Sequence, residues 1–172
     1  ITNSGVLTIG GNSSFTAPAG SDISVNNPGN AFTGTVSFLP AAGLANVSVR
    51  DTTALSLAAL SVTGTLTVDS GGVVGQSGVW SGTTLIVTTR LDGGAAINLG
   101  GQINAFTNVS LRTLNTAGLA DAAGAIAYRD VNGFDVEATG IRTTATATIV
   151  APGVMIDDGP TVTGVLDLDL GG

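Results

Sequence analysis

Residues 64–78 read GTLTVDSGGVVGQSG, and variants of this stretch recur along the chain. Its opening, Gly-x-Leu-x followed by an aliphatic residue, returns at Gly5 and at Gly164. Its close, residues 72–78, returns at residues 153–159 with the flanking glycines in place. Recurrence of one short strand-and-turn unit is typical of repeat proteins. The sequence therefore predicts a repeat architecture.

Two periods of repetition overlap. The short period separates the openings at Gly5, Gly64 and Gly164 by multiples of about 20 residues, a length typical of solenoid coils. The long period aligns residues 5–82 with residues 83–163, and a third copy begins at Gly164. We predict a single segment, residues 1–172, that belongs to a longer array of such copies.

The two copies lose register between Leu111 and Ala125, which indicates an insertion of about five residues. The overlapping segment Thr116–Ala127 is rich in Ala and Leu but is interrupted by Gly118 and Gly124. We predict a loop here that can contain one helical turn.

Short runs with alternating apolar residues fill the rest of the chain. Each run is bounded by Gly, Asn, Asp or Pro, which is the signature of a β-strand, and no stretch keeps apolar residues at helical spacing. The predicted strands lie at residues 6–9, 23–25, 36–38, 47–49, 55–57, 66–68, 85–87, 97–99, 109–111, 126–128, 134–136, 147–149, 154–156 and 166–170.

Coils of about 20 residues with two or three short strands predict a parallel β-helix of about eight coils. Stacked coils bury inward Leu, Val and Ile side chains in one column, and pairing of coil on coil satisfies the backbone. Gly and Asn at the corners are expected to supply positive φ angles. A β-sandwich is the alternative, but it would not require two registers of repetition.

Composition excludes several classes of chemistry. The chain has no His and no Cys, and its five basic residues are all Arg. Ser-His-Asp, Cys-His, Ser-Lys and Schiff-base mechanisms therefore lack a required residue. We predict that the protein is not an enzyme and needs no cofactor. The net charge of −7 argues against nucleic-acid binding, and no apolar run is long enough to span a membrane.

Five glycines are predicted to hold the corners of coils while the residues between them vary. They are Gly64, Gly72, Gly78, Gly153 and Gly159. Asp157-Asp158 aligns with Gln76-Ser77 in the other copy, so we interpret this acidic pair as a solvated turn rather than a pair of catalytic carboxylates.

Two motifs occur once in each long copy. Asn30 with Phe32 matches Asn104 with Phe106, and we expect an asparagine hydrogen-bond ladder above phenylalanines that anchor the core. The second motif is Arg50-Asp51, which matches Arg129-Asp130. We expect its Arg to lie outward and its Asp to accept backbone N–H bonds at a turn. Recurrence inside an array favours a structural role over a binding site for both motifs.

Other candidates are weaker. Asp167 and Asp169 share one face of a strand and are minor candidates for Ca²⁺, which needs six to eight oxygen ligands. Trp80 and Tyr128 could stack on a sugar if exposed, but single aromatics more often fill the core.

The stretch Gly64–Gly78, together with Asn30–Gly34 (NAFTG) and Asn46–Asp51 (NVSVRD), resembles the repeats of bacterial exoproteins of the filamentous-haemagglutinin-like and autotransporter-like families. The resemblance implies a right-handed parallel β-helix at the cell surface or outside the cell. The two-level repetition without catalytic residues favours a stalk, adhesin shaft or fibre subunit, which can contact glycans or receptors. We predict association end to end or within a longer chain, because terminal coils expose unpaired edges. The alternative is a carbohydrate-binding or carbohydrate-active β-helix, which needs carboxylates and Arg converging on one lateral groove.

Overall fold

The computed structural model describes residues 1–155 and 163–170, and the regular structure within them consists of β-strands without a helix. The strands, numbered in chain order, are β1 Thr8–Ile9, β2 Ser13–Thr16, β3 Ile23–Val25, β4 Ala31–Phe32, β5 Thr35–Leu39, β6 Ala42–Leu44, β7 Val47–Asp51, β8 Leu55–Leu57, β9 Leu60–Val62, β10 Thr65–Ser70, β11 Val74–Gln76, β12 Trp80–Arg90, β13 Ile97–Leu114, β14 Ile126–Asp130, β15 Phe134–Arg142, β16 Ala147–Val150, β17 Val154–Met155 and β18 Leu166–Asp169. No helix in this part of the chain is long and apolar enough to cross a membrane.

The described strands pair in parallel, each with strands one coil before or after it. Ile23 lies beside Val47, Val47 beside Leu66, and Leu66 beside Leu85, so each coil continues the sheet of the coil below. The β-sandwich alternative is excluded, because a sandwich is built from antiparallel strands. The chain is a parallel β-solenoid of about seven turns.

Three stacks of strands form the sides of the solenoid. The first contains β3, β7, β10, β12, β13, β15 and β17, and the second contains β2, β5, β8, β11, β13, β14, β16 and β18. The third contains β6, β9 and parts of β12 and β13. β12 and β13 therefore bend around corners and belong to more than one stack. β1 and β4 form a separate two-stranded sheet.

Coil length varies, which explains about seven turns where eight were predicted. The coil from Val47 to its neighbour Leu66 takes 19 residues, and the coil from Leu111 to Ile141 takes 30. A loop that follows β13 lengthens one coil, and an irregularity in β15 lengthens the step from β13.

The loop after β13 contains no helical turn, so that part of the prediction for Thr116–Ala127 is wrong. The Asn115 side chain organises the loop instead, because its Oδ1 accepts hydrogen bonds from the main-chain N–H groups of Leu119 (2.9 Å) and Ala120 (3.3 Å). An Asn that bonds to nearby main-chain N–H groups competes with helix formation. Leu119 lies at the tip of the loop, 88% exposed.

The core is a continuous column of inward-facing side chains. In β7, for example, Val47 and Val49 are buried, whereas Ser48 and Arg50 point outward. This alternation repeats coil after coil, and large side chains such as Trp80 fill the corners. Burial of each aliphatic side chain contributes about 1.5–3 kcal/mol, so stacking supplies the stability that a single coil lacks.

Three of the corner glycines, Gly64, Gly72 and Gly78, serve close packing rather than positive φ angles. A Cβ on Gly64 would lie 2.4 Å from Asn46 Oδ1, and one on Gly72 would lie 2.7 Å from the Ala54 nitrogen. The prediction of positive φ at the corner asparagines and at Gly64, Gly72, Gly78 and Gly153 is wrong, and Gly159 lies outside the described residues. Positive φ occurs instead at Gly20, Gly43, Gly94, Gly118 and Gly140.

Segments that match in sequence lie on different sides of the solenoid. β3 belongs to the first stack, whereas its sequence match, residues 97–99 of β13, pairs with β11 and β14 in the second stack. The long repeat thus advances the chain by three coils and one further side. The division into copies 5–82 and 83–163 stays a prediction.

Candidate functional site

Asn104 joins three successive coils through its fully buried amide. Its Oδ1 accepts hydrogen bonds from the main-chain N–H of Trp80 (3.0 Å) and from Gln76 Nε2 (2.8 Å), both in the preceding coil. Its Nδ2 donates to Leu99 O (3.1 Å) in its own coil and to Arg129 O (3.2 Å) in the next. The side chain therefore acts as a latch between coils.

Asn30 forms a similar latch near the start of the chain. Its Oδ1 accepts from the main-chain N–H of Leu7 (2.9 Å) and from Asn3 Nδ2 (3.0 Å), and its Nδ2 donates to Val25 O (2.9 Å). In the stack Asn104 lies beside Asp130 rather than beside another asparagine. The two asparagines are therefore separate latches, which differs from the ladder that the repeat suggested.

The aspartates of the Arg-Asp motif lie one coil after each asparagine and bind main-chain N–H groups beside it. Asp51 accepts from the main-chain N–H groups of Phe32 (3.1 Å) and Thr53 (2.8 Å). Asp130 accepts from Phe106 N–H (3.1 Å) and Asn132 N–H (2.9 Å) in the same arrangement. Both carboxylates are buried, and the N–H donors compensate for the water they have lost.

Tyr128 packs beside Asp130 and binds its carboxylate. Its hydroxyl donates a hydrogen bond to Asp130 Oδ2, and its ring packs edge-on against Phe134 at 5.3 Å between centroids. Burial raises the pKa of the Tyr128 phenol well above its usual range, and the hydrogen bond to Asp130 and its charge add to this effect. Tyr128 and Trp80 are both buried, so neither can stack on a sugar at the surface.

Stability at alkaline pH is expected to depend on Tyr128. The folded protein keeps this phenol protonated, whereas the unfolded chain releases its proton near pH 10. The contribution of Tyr128 to the free energy of unfolding is therefore fully present below about pH 10. It decreases by about 1.4 kcal/mol for each pH unit above about pH 10. The chain has one Tyr and neither Lys nor Cys, so few other groups titrate in this range.

Urea unfolding of the wild-type protein and of Tyr128→Phe, at several pH values between about 9 and 11.5, measures this slope. The slope should be present in the wild type and nearly absent in the variant. The same slope in both proteins would contradict the assignment. The comparison within one pH range cancels contributions from the arginines that both proteins share.

An arginine stripe runs along the outside of the first stack, and we define it by Arg50, Arg90, Arg112 and Arg142 with the carboxylates of Asp69 and Asp121. Arg50 pairs in register with Asp69, Asp69 with Thr88, Thr88 with Arg112, and Arg112 with Arg142. Arg90 lies two residues after Thr88 on the same face of β12. Four of the five basic residues of the chain thus lie on one side.

Two of these arginines are neutralised and two are not. Arg90 Nε donates to both carboxylate oxygens of Asp69 (2.9 and 3.0 Å), and Arg142 donates to Asp121 Oδ2 from Nη2 (3.0 Å) and Nε (3.2 Å). Within residues 1–155 and 163–170, Arg50 and Arg112 form no salt bridge.

Arg112 is the least satisfied member of the stripe. Its Nε is buried without a hydrogen-bond partner in the described part of the chain. Burial lowers the pKa of the Arg112 guanidinium, the neighbouring guanidinium of Arg142 lowers it further, and Asp121 acts in the opposite direction. The Arg112 side chain is half-buried, so the rest of its guanidinium is partly accessible and is not neutralised by a salt bridge in the described residues.

A shallow cleft of about 340 Å³ opens at one end of the stripe. Its walls include Arg50, Asp69, Arg90, Leu91, Thr116 and Pro28. The loop after β13 supplies Thr116, whose main-chain N–H donates to Asp92 Oδ1 (3.0 Å). The loop thus forms one wall of the cleft.

The remaining predicted residues lie apart from the stripe. Arg129 is exposed on β14, and Asp167 and Asp169 are exposed on β18. Asp157 and Asp158 lie outside the described residues. The described chain contains no group of three or more acidic, His or Cys residues that could hold a metal ion. Calcium binding at Asp167 and Asp169 stays a prediction.

Comparison with known proteins agrees with the repeat architecture. A search of curated proteins and a search of solved structures each find no match. One protein family, described as "Repeats of unknown function (DUF5649)", matches residues 1–39 and 44–121, which is more than half of the chain. The chain belongs to this family of repeats, DUF5649.

Proposed function

We propose that the protein is a structural segment of a bacterial cell-surface or secreted protein, serving as a shaft, stalk or fibre subunit without catalytic activity. The observation that carries the proposal is the parallel stack itself, in which each coil adds one rung to the sheets. Such a stack converts chain length into rigid reach, as in other solenoids. The motif resemblance to bacterial exoprotein repeats supports placing it outside the cell.

End-to-end association is part of this proposal. Apolar side chains are exposed in both outermost described coils, at Val6 (59%) near the start and at Val165 (62%) and Leu170 (49%) near the end. Another coil placed on these surfaces would bury them and would continue the parallel sheets. The covering coil comes either from flanking repeats of the same polypeptide or from a second molecule.

Sedimentation velocity over a range of concentrations tests this association. We expect the 172-residue chain to form elongated oligomers, and we expect Leu168→Lys, in the last strand, to reduce them strongly. Val79→Lys, on the side of the solenoid, is the matched control because Val79 (45%) and Leu168 (37%) are similarly exposed. A chain that stays monomeric at high concentration, or an equal effect of both variants, would refute end-to-end assembly.

A further inference from the structure

The arginine stripe has a charge opposite to that of the rest of the molecule. The chain carries a net charge of −7, yet four of its five cations lie on one side with only Asp69 and Asp121 paired to them. Clustering of like charges costs free energy unless an opposite charge is bound nearby. A shaft needs no such feature, so the stripe indicates a binding activity beyond the structural role.

The spacing of the unpaired arginines indicates an extended ligand. Arg50 and Arg112 are three strand pairings apart in one register, which is roughly 14 Å at the usual distance between neighbouring strands. A single small anion cannot contact both guanidinium groups. A linear polymer that lies along the solenoid axis can contact both, with the Arg90–Asp69 pair between them.

The chemistry of the stripe favours carboxylates on a carbohydrate. Guanidinium groups bind carboxylates through two parallel hydrogen bonds, and neither Arg50 nor Arg112 forms a salt bridge within the described residues. The cleft beside Arg50 and Arg90 offers Thr116 and the Asp69 carboxylate to sugar hydroxyls.

Nucleic acid fits this surface less well. Single strands are held by basic grooves with aromatic side chains on which the bases stack, and the residues that line the cleft include no aromatic side chain.

A second copy of this chain also fits poorly. Asp51 and Asp130 are occupied inside the corners, and Asp22 accepts hydrogen bonds from Asn46 (2.9 and 3.0 Å). Asp69 and Asp121 already pair with arginines of the stripe itself.

We propose that the arginine stripe binds a linear carboxylated polysaccharide along the solenoid axis, with Arg50 and Arg112 each holding one carboxylate. The sugar units between these two carboxylates lie over the Arg90–Asp69 pair. Carboxylates spaced along the polymer thus engage the two arginines together, and the second contact gains from the first because it is intramolecular.

Binding of polygalacturonate and of its oligomers, measured by calorimetry at low salt, tests the proposal. We expect oligomers long enough to reach both arginines to bind much more tightly than galacturonic acid itself. Arg50→Gln and Arg112→Gln should each weaken polymer binding by roughly tenfold. Arg129→Gln is the matched control, because it removes the same charge from an exposed arginine outside the stripe.

Two further measurements separate the alternatives. Arg112→Lys keeps the charge but lacks the planar fork, so it should fold normally, as judged by circular dichroism, and still bind more weakly. Failure of polygalacturonate to bind, equal weakening by Arg129→Gln, or equally tight binding of single-stranded DNA would each overturn the proposal. The arginine stripe lies on the side of the solenoid, whereas end-to-end association involves its terminal coils. The binding tests are therefore independent of that association.

Discussion

Replacing Trp80 by alanine is expected to lower the free energy of unfolding by about 3–5 kcal/mol, the largest effect of any single core substitution here. Trp80 is fully buried, and its indole N–H donates to Ala58 O in the preceding coil at 3.0 Å. Alanine would leave a cavity at a corner and a carbonyl without its donor. The solenoid interior cannot close around the gap, because the neighbouring coils hold the backbone in place.

Urea unfolding followed by far-ultraviolet circular dichroism measures the effect, since Trp80 is the single tryptophan and the variant lacks its fluorescence. Val79→Ala is the control, because Val79 is the adjacent residue but lies exposed (45%). We expect the control to change stability by less than about 0.5 kcal/mol. Similar losses in the two variants would show that Trp80 is not a core anchor.

Replacing Asn104 by alanine is expected to cost about 3 kcal/mol or more, because several buried polar groups lose their partners together. The Trp80 N–H would lose its acceptor, and the Leu99 and Arg129 carbonyls would lose a donor. Three coils are affected by one side chain. We therefore expect lower stability and also a looser corner around Trp80.

Fluorescence of Trp80 during urea unfolding reports on both effects. Asn98→Ala is the matched control, since Asn98 lies on the same strand with its side chain exposed. A red-shifted emission in native Asn104→Ala, with unchanged emission in Asn98→Ala, is the expected result. Equal stability of the two variants would mean that the amide hydrogen bonds are replaced by water at little cost.

The sequence predicted most of the strands but missed several short ones. β11 (Val74–Gln76) lies within the Gly-rich stretch that was interpreted as a corner, yet it pairs with β8 and β13 on its two sides. These residues locally prefer a turn, but pairing with the neighbouring coils holds them as a strand. Gln76, interpreted there as free to vary, binds the Asn104 latch.

The arginine stripe was not predicted, although a signal for it exists in the sequence. Arg50, Asp69, Arg90, Arg112 and Arg142 follow one another at intervals of about one coil. The search for identical motifs paired Arg50 with Arg129 instead, and the structure places these two on different strand stacks, in β7 and β14. In a solenoid with coils of unequal length, residues of identical motifs therefore need not lie on the same side.

The sequence by itself determined the β-solenoid class, because short alternating strands that repeat at about 20 residues bury their apolar faces by stacking coil on coil. The same regularity underlies the stretch at residues 64–78. Only the tertiary structure decided which side of the solenoid each residue occupies. Coils range from 18 residues (Leu44 to Val62) to 30 (Leu111 to Ile141), and loops and strand irregularities accommodate the extra residues. Residues distant in sequence therefore meet in one row, and this is how the arginines form a stripe.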